Sequence, residues 1–493
     1  MSSQPVFPAP LRADELLNLS PVPTLLARTR AELSAGFKPG RPMRVSRAPG
    51  RLDVMGGIAD YTGSLVCEAT LDRAAAVVLQ ERDDRQVQVF SFNLLDEHAP
   101  FTVSMPLDAL AKNSIDVLRK EFTDPGRHWA GYLAGCLFVL QERGLIDLLS
   151  PSVKGLNLAL YSTVPLGAGV SSSAAIEVAT MINLLDHFGI RSQVDPMIVA
   201  EMCQHVENDV VGAPCGIMDQ ASSCAGEAGS LMRMICQPHE LQQPLFLPKG
   251  IRAIGINSNV KHSVGGGMYG RTRCAAFMAH KMIYEIMRQM GAKAGKTMTA
   301  DPLGGYLANL DPDDYKKYFR PYLPEYMKGG EFLIKFGSTF DTATRVEPDV
   351  NYHVQHAADH HVLEARRVRN FVEFLTDAAP ETEDSKTRRD LLNKAGHLMY
   401  ASHLSYTNDA MLGADECDLL VKLVREREHA GLYGAKITGG GSGGTVAVLA
   451  DEGPTVDQAI ADIMAVYEQQ TGRKSEAFLG SSPGAWAAGT AIV

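Results

Sequence analysis

The chain has 493 residues, 45% hydrophobic and 21% charged, with a formal net charge of −10. That length suffices for two or three domains with sizeable cores, and the acidic balance argues against a nucleic-acid binder, which would show a basic face. There is no apolar run of about 18 residues to cross a membrane. The start of the chain lacks the basic and apolar stretches of a signal peptide. The 8 cysteines are scattered with no Cys-x-x-Cys pair, so the expectation is a cytoplasmic protein with reduced thiols, not a disulfide framework or a zinc site.

In chain order, residues 1–40 read as a helical lead-in carrying Leu16, Leu17, Leu19, Leu25 and Leu33. Short strands are expected from 43 to about 93, clearest over 74–80 and 87–92. Leu156, Leu158 and Leu160 then alternate with Asn157, Ala159 and Tyr161, a strand pattern. Beyond it Ala175, Val178, Ala179, Ile182 and Leu185 recur at helical spacing until Gly189. Asp195 and Pro196 supply an N-cap and a first helical position for a helix running toward Glu207. Residues 251–257 read as a buried strand, 268–290 and 361–375 as helices, 391–405 and 415–429 as helices, and 435–438 and 445–449 as strands. Residues 291–359 mix prolines, glycines and tyrosines but keep Phe319, Tyr322, Leu323, Phe332, Leu333 and Phe336, and so read as an inserted subdomain. There are no internal repeats, and the mixture predicts α+β layers.

The most informative stretch is 164–175, which contains Gly167, Ala168, Gly169, Val170, Ser171, Ser172, Ser173 and Ala174 between the strand and the helix. Glycine lets a backbone approach an anion, and a helix N-terminus offers unpaired N–H groups with a partial positive charge. Serine adds hydroxyls for phosphate or Mg²⁺. A plain strand-to-helix turn with a serine cap is the competing reading. The stretch is not a P-loop, because no Gly-Lys-Ser/Thr closes it. Two further glycine-rich stretches flank it in the chain, at 48–63 and 434–445.

In this order the three stretches resemble the three motifs of the GHMP small-molecule kinases, and of the galactokinase family within them. The resemblance runs from about residue 43 to the C-terminus and is weakest over 291–359. It implies a two-domain fold: a ribosomal protein S5 domain 2-like half over 1–250, and a ferredoxin-like α/β sandwich over 251–493 that carries the insertion. The active site would lie in the cleft between them. The resemblance places Gly167 to Ala174 around the phosphates of ATP, with Gly440 and Gly441 of the third motif lining the nucleotide site. It places Ser173 and Glu207 on Mg²⁺; a hard cation that keeps several waters needs only one hydroxyl and one carboxylate. Asp219, in a motif that reads Cys215-Gly216-Ile217-Met218-Asp219-Gln220, would meet the anomeric hydroxyl, with Arg51 beside it. An adjacent cation keeps a carboxylate ionised and offsets charge as the new bond forms. Whether Asp219 is a base or an electrostatic positioner is open. Asp60 would hold ring hydroxyls, and Gly216 and Tyr269 would border the sugar, the latter closing a stretch over 258–269 that also resembles galactokinases.

The first motif departs from the family. Galactokinases usually read Gly-Glu-His-Thr-Asp-Tyr, whereas this chain reads Gly56-Gly57-Ile58-Ala59-Asp60-Tyr61. The glutamate and histidine that meet the C6 hydroxymethyl group are replaced by a glycine and a branched alkyl group. A buried hydroxyl without a partner costs about 1–3 kcal/mol, which disfavours galactose relative to L-arabinopyranose, the same ring stereochemistry without C6. Residues 53–61, 207–216 and 433–444 resemble plant L-arabinokinases, which carry an extra N-terminal domain. The expected partners are therefore a small sugar and ATP, with L-arabinose first and D-galactose as the alternative; neither nucleic acid nor membrane is expected, and the protein would be a monomer or a weak homo-oligomer. A non-catalytic sugar sensor and a kinase for a non-sugar alcohol are the rivals.

Two weaker signals complete the reading. His353, His356, His360 and His361 are expected to line a solvated loop and helix start. Lys261, Arg271 and Arg273 are either phosphate contacts or a solvated helix start.

Overall fold

Two large sheets organise the chain in the computed structural model, which describes residues 10–213, 215–261 and 267–493. In the first, the strands Arg44–Met55 and Leu65–Glu81 pair antiparallel along most of their length. Leu156–Ser162, Gln86–Ser91 and Thr102–Pro106 extend the sheet on one side and Thr490–Ile492 closes it on the other. Ser230–Ile235 pairs with the early part of Leu65–Glu81. Gln86–Ser91 runs parallel to Leu156–Ser162, while its other neighbour is antiparallel.

The first two strands are 12 and 17 residues long, not short as expected. The turn signal Pro49-Gly50 does not end the first strand but becomes an irregularity in its register between Pro49 and Arg51. Such bulges re-aim a side chain, here Arg51. The second strand reads as a continuous apolar run because both of its faces are covered. Ala76 and Val78 face a core with Leu16, Val22 and Leu25 of the lead-in helices, whereas Ala75, Val77 and Leu79 face one with Leu137, Val178 and Ile182. The period of two residues along a strand separates the two cores.

The second sheet has the order Leu432–Ile437, Thr445–Asp451, Ile251–Asn257, Glu476–Phe478, all antiparallel. With helices between the first and second strands and helix Pro454–Thr471 between the third and fourth, this is the expected ferredoxin-like βαββαβ arrangement. The second region is not confined to its own sheet, since Thr490–Ile492 returns to pair with Arg44 to Ser46.

Residues 291–359 pack against helices Met268–Lys293 and Val354–Ala378 through Leu307, Tyr315, Phe319, Leu323 and Phe332. The insertion is thus folded, although Tyr322 is exposed and not part of that core. The helix expected to begin near 361 begins at Val354, with the half-buried His353 and His356 at its start, so the solvated reading of the histidines fails for His360 and His361. His360 and His361 are buried in its interior, where His360 Nδ1 meets Ser405 Oγ at 2.9 Å and His361 Nε2 meets Tyr61 Oη at 3.1 Å.

Candidate active site

The stretch between strand Leu156–Ser162 and helix Ser172–His187 folds into a loop whose backbone alternates in hand. Gly167, Gly169 and Ser171 have φ of 71°, 70° and 61°. Alternation of this kind turns successive N–H groups toward one point and makes an anion-binding nest. Ser171 sits at the N-cap position, yet its side chain makes no capping bond. The hydroxyls of Ser171 and Ser172 are buried without a hydrogen-bond partner. Buried hydroxyls are normally satisfied, so these two fit a phosphate oxygen and do not fit the plain cap reading.

The other two glycine motifs hold this loop from behind. Arg51 donates its backbone N–H to Val170 O at 3.2 Å, and Thr445 Oγ1 donates to Ala168 O at 2.8 Å. A β-carbon on Gly50 would lie 2.7 Å from Val170 O, and one on Gly444 would lie 2.6 Å from Ala168 O. These glycines permit backbone-on-backbone packing that no larger residue allows.

Arg51 joins the loop to the Asp219 carboxylate. Its Nη1 donates to Gly169 O at 2.7 Å, while Nε and Nη2 both donate to Asp219 Oδ1, at 3.0 and 2.6 Å. Nε also lies 3.2 Å from the buried Glu68. Burial works to lower the Arg51 pKa, but the carboxylates of Asp219, Glu68 and Asp53 outweigh it and hold the guanidinium charged. Glu68, buried and near Asp53, is pushed well above the usual carboxylate range. Asp219 opens the helix Met218–Ala225.

Glu207 lies in a widened helical turn, Val206–Val211, which continues from helix Pro196–His205. Such π-type turns are frequent at functional sites. Gln220 Nε2 donates to Glu207 Oε2 at 2.7 Å, and the neighbouring Ser173 hydroxyl favours the ionised form of the Glu207 carboxyl. Burial pushes Glu207 up to about 7, and the charge of Asp219 adds to the effect. A buried carboxyl with its own hydroxyl neighbour, next to unsatisfied serines, is a donor set that suits a hard divalent cation.

The residues expected at the sugar line the same cleft of about 300 Å³: Ile58, Asp60, Gly216 and Tyr269 lie there with Arg51 and Asp219. Its other wall is formed by Gly167, Gly169, Val170, the serines 171–173, Glu207 and Gly440. Burial pushes Asp60 up to about 7, while Arg273 and the Tyr61 N–H pull it down. A β-carbon on Gly216 would lie 1.6 Å from Asp60 Oδ2, so only glycine leaves that carboxylate its place. Ile58 is 1% exposed and presents an alkyl group beside Asp60.

Four of the expected site residues do not line the cleft. Gly57 gives its N–H to Asp53 Oδ1 at 2.9 Å, and a β-carbon there would fall 1.8 Å from the Tyr406 hydroxyl; it is a packing glycine behind the wall. Ala168 offers its carbonyl to Thr445 and faces the third motif. Ala174 is buried within the first turn of its helix. Gly441 packs toward the carbonyl of Leu412, from which a β-carbon would be 2.5 Å away. Pro214, His262 and Ser263, which fall in the expected motifs, lie outside the described residues.

Several residues that hold the site were not singled out from sequence. Lys436 Nζ pairs with Asp53 in a fully buried ion pair, and the Tyr406 hydroxyl bridges Ile58 N and Gly439 O. An isolated lysine inside the apolar strand Leu432–Ile437 was the available signal for the first. Arg273 is neither of the alternatives drawn from sequence: it is mostly buried and pairs with Asp341, not with a phosphate loop or with solvent.

Comparison with known proteins follows this geometry. Residues 132–227 match the family described as GHMP kinases N terminal domain, and residues 387–469 match GHMP kinases C terminal. The chain is 37% identical over 491 residues to the L-arabinokinase of Arabidopsis thaliana, covering 90% of this chain but 46% of that protein. It thus spans less than half the length of the plant relative. It is 30% identical over 434 residues to the galactokinase of Chloroflexus aggregans, covering 88% of this chain and 90% of that one. The crystal structure of Lactococcus lactis galactokinase complexed with galactose superposes with a TM-score of 0.68 at 20% identity, over 95% of this chain and 98% of that one, which shows the shared fold.

Proposed function

The chain belongs to the galactokinase family of GHMP kinases, and on that footing we propose that it moves the γ-phosphoryl group of ATP onto the anomeric hydroxyl of L-arabinose. Both Arg51 hydrogen bonds to Asp219 end on Oδ1, so Oδ2 is the oxygen offered to the acceptor hydroxyl. The sugar oxygen attacks the γ-phosphorus as the bond to the β–γ bridging oxygen breaks. The hydroxyl proton passes to Asp219, and ADP leaves. Arg51, held charged chiefly by Asp219, offsets the charge that develops. Ser173 and Glu207 are the residues that would hold Mg²⁺, whose chemistry is to neutralise phosphate charge. The nest at Gly167 to Ser171 and the free serine hydroxyls bind and orient the phosphates.

The observation that carries the choice of sugar is the wall beside Asp60, where Ile58 presents an alkyl group and Gly57 is turned away toward Asp53. A C6 hydroxymethyl group placed against Ile58 meets an alkyl group, and a hydroxyl left unpaired costs about 1–3 kcal/mol or roughly tenfold to a hundredfold in affinity. The 37% identity to a protein named L-arabinokinase supports the same reading. The test is ADP release with Mg-ATP, comparing L-arabinose and D-galactose at limiting concentration. A kcat/KM at least tenfold higher for L-arabinose is expected. A preference for galactose would show that other groups hold C6 and make the protein a galactokinase. ADP release with neither would leave a sugar-binding protein without turnover.

A further inference from the structure

The inserted segment reaches the sugar side of the cleft through an ion pair. Asp341 is almost fully buried; it accepts from Ala343 N at 3.1 Å, Thr344 N at 3.0 Å and Thr344 Oγ1 at 2.6 Å, so its own loop fixes its direction. Arg273, in helix Met268–Lys293, meets it with a two-pronged bond, Nε to Oδ2 at 3.0 Å and Nη2 to Oδ1 at 2.8 Å. Paired this way, the guanidinium lies over the ring of Tyr61, 5.0 Å from its centroid. The opposite end of Tyr61 is held by His361 Nε2 at 3.1 Å from its hydroxyl. Tyr61 in turn donates its backbone N–H to Asp60 Oδ1 at 2.7 Å and meets Tyr269 edge to face at 6.0 Å. The turn that carries Asp60 is therefore clamped through Tyr61, and one jaw of the clamp takes its position from the insertion.

We propose that Asp341 is a positioning residue for sugar binding: it holds the Arg273 fork over Tyr61, and Tyr61 fixes the turn that presents Asp60 to the acceptor sugar. This gives residues 291–359 a task in the reaction without any contact to substrate. It rests on the reading of Asp60 as a sugar ligand. The physical argument is that a buried cation deprived of its partner does not stay where it was. Without the Asp341 charge, only the faces of Tyr61 and Phe277 hold Arg273, and a ring face attracts a cation less than a buried carboxylate does. Asp60 is the nearby carboxylate that already feels its charge. Drawing Arg273 to Asp60 would occupy the carboxylate that the sugar needs. The phosphate cradle, built from Gly167 to Ser173 and backed by the third motif, is independent of this chain of contacts.

The experiment is steady-state kinetics on Asp341→Asn, Arg273→Lys and Asp60→Asn, with ATP and whichever of L-arabinose and D-galactose is the better acceptor. Asp341→Asn is expected to raise the sugar KM tenfold or more and to move the ATP KM less than twofold. Arg273→Lys keeps the charge but loses the fork, and carries the same expectation if Asp341→Asn does not fold. A sugar KM raised by Asp60→Asn but untouched by both other variants overturns the role of Asp341 and leaves the sugar site standing. Equal rises in both KM values also overturn it, because that is the mark of general loosening. A sugar KM unmoved by Asp60→Asn overturns the sugar-site reading itself, and the inference with it.

Discussion

The two walls of the cleft are built by different means. The phosphate wall is made of backbone: left-handed residues at Gly167, Gly169 and Ser171, two unpaired serine hydroxyls, and a third motif packed carbonyl to β-carbon-free glycine behind it. The sugar wall presents side chains whose places are set by partners far along the chain: Asp219 by Arg51, the Ile58 backbone by Tyr406, and behind the wall Arg273 by Asp341. A backbone site tolerates any phosphate of the right shape and is common to many reactions. A side-chain site selects, and it can be retuned by residues that never touch the substrate.

The contrast is sharpest at Asp219, where the walls meet through Arg51. Asp219→Asn is expected to lower kcat by about 10²–10⁴ while nucleotide affinity, set on the other wall, changes little. ADP release together with a nucleotide-binding titration checks it. Loss of ATP binding in this variant would mean that the two walls are one unit.

Gly216→Ala strikes the sugar wall alone. The new β-carbon would fall on Asp60 Oδ2 at 1.6 Å, so the carboxylate must leave its place. The sugar KM should rise on the order of a hundredfold, near the upper end of what one lost charged hydrogen bond costs, with the ATP KM unchanged. A sugar KM that stays put would remove Asp60 from the sugar site.

This contrast also explains what could be read from the chain. The loop at 164–175, the first motif and the third were legible because glycine density, strand alternation and helical spacing are local signals. The ferredoxin-like order of the second sheet came from the family resemblance that these motifs carry, not from the local signals themselves. Gly57 is expected at the sugar but packs on Tyr406, because the partner that excludes a side chain there lies in a helix far along the chain. The burial of Arg273, His360 and His361 escapes a sequence reading for the same reason. Their environment is created by the insertion and by the helix Val354–Ala378, whose true start no cap residue marks. The ion pair of Lys436 with Asp53 leaves only a trace in sequence, a charge amid apolar residues.

Smaller effects test each wall singly. Ser173→Ala removes one neighbour of Glu207 and should raise the Mg²⁺ concentration for half-maximal activity about tenfold, in line with one lost hydrogen bond to a charged group. An unchanged Mg²⁺ titration would take Ser173 out of the metal site. Ile58→Thr offers a hydroxyl to a C6 group and should narrow the preference for L-arabinose over D-galactose severalfold, within the roughly 1–3 kcal/mol assigned to an unpaired hydroxyl. An unchanged ratio would show that Ile58 does not face that position.

The smallest effect couples the walls through pH. Burial pushes Asp60 and Glu207, one on each wall, up to about 7. The folded protein then keeps protons that the unfolded chain releases between about pH 4.5 and 7, so these groups make stability fall as pH rises through that window and level off above it. Activity has the opposite sign, because both roles need the ionised carboxylate, and kcat/KM should climb as pH passes 7. The ligand-free protein should therefore lose a few degrees of Tm between pH 5 and 7.5, and Asp60→Asn and Glu207→Gln should each flatten part of that slope. Mg²⁺ should recover the part that Glu207→Gln flattens and the acceptor sugar the part that Asp60→Asn flattens, since each supplies what one wall lacks. Recovery by the wrong ligand would mean that the two carboxylates have been assigned to the wrong walls.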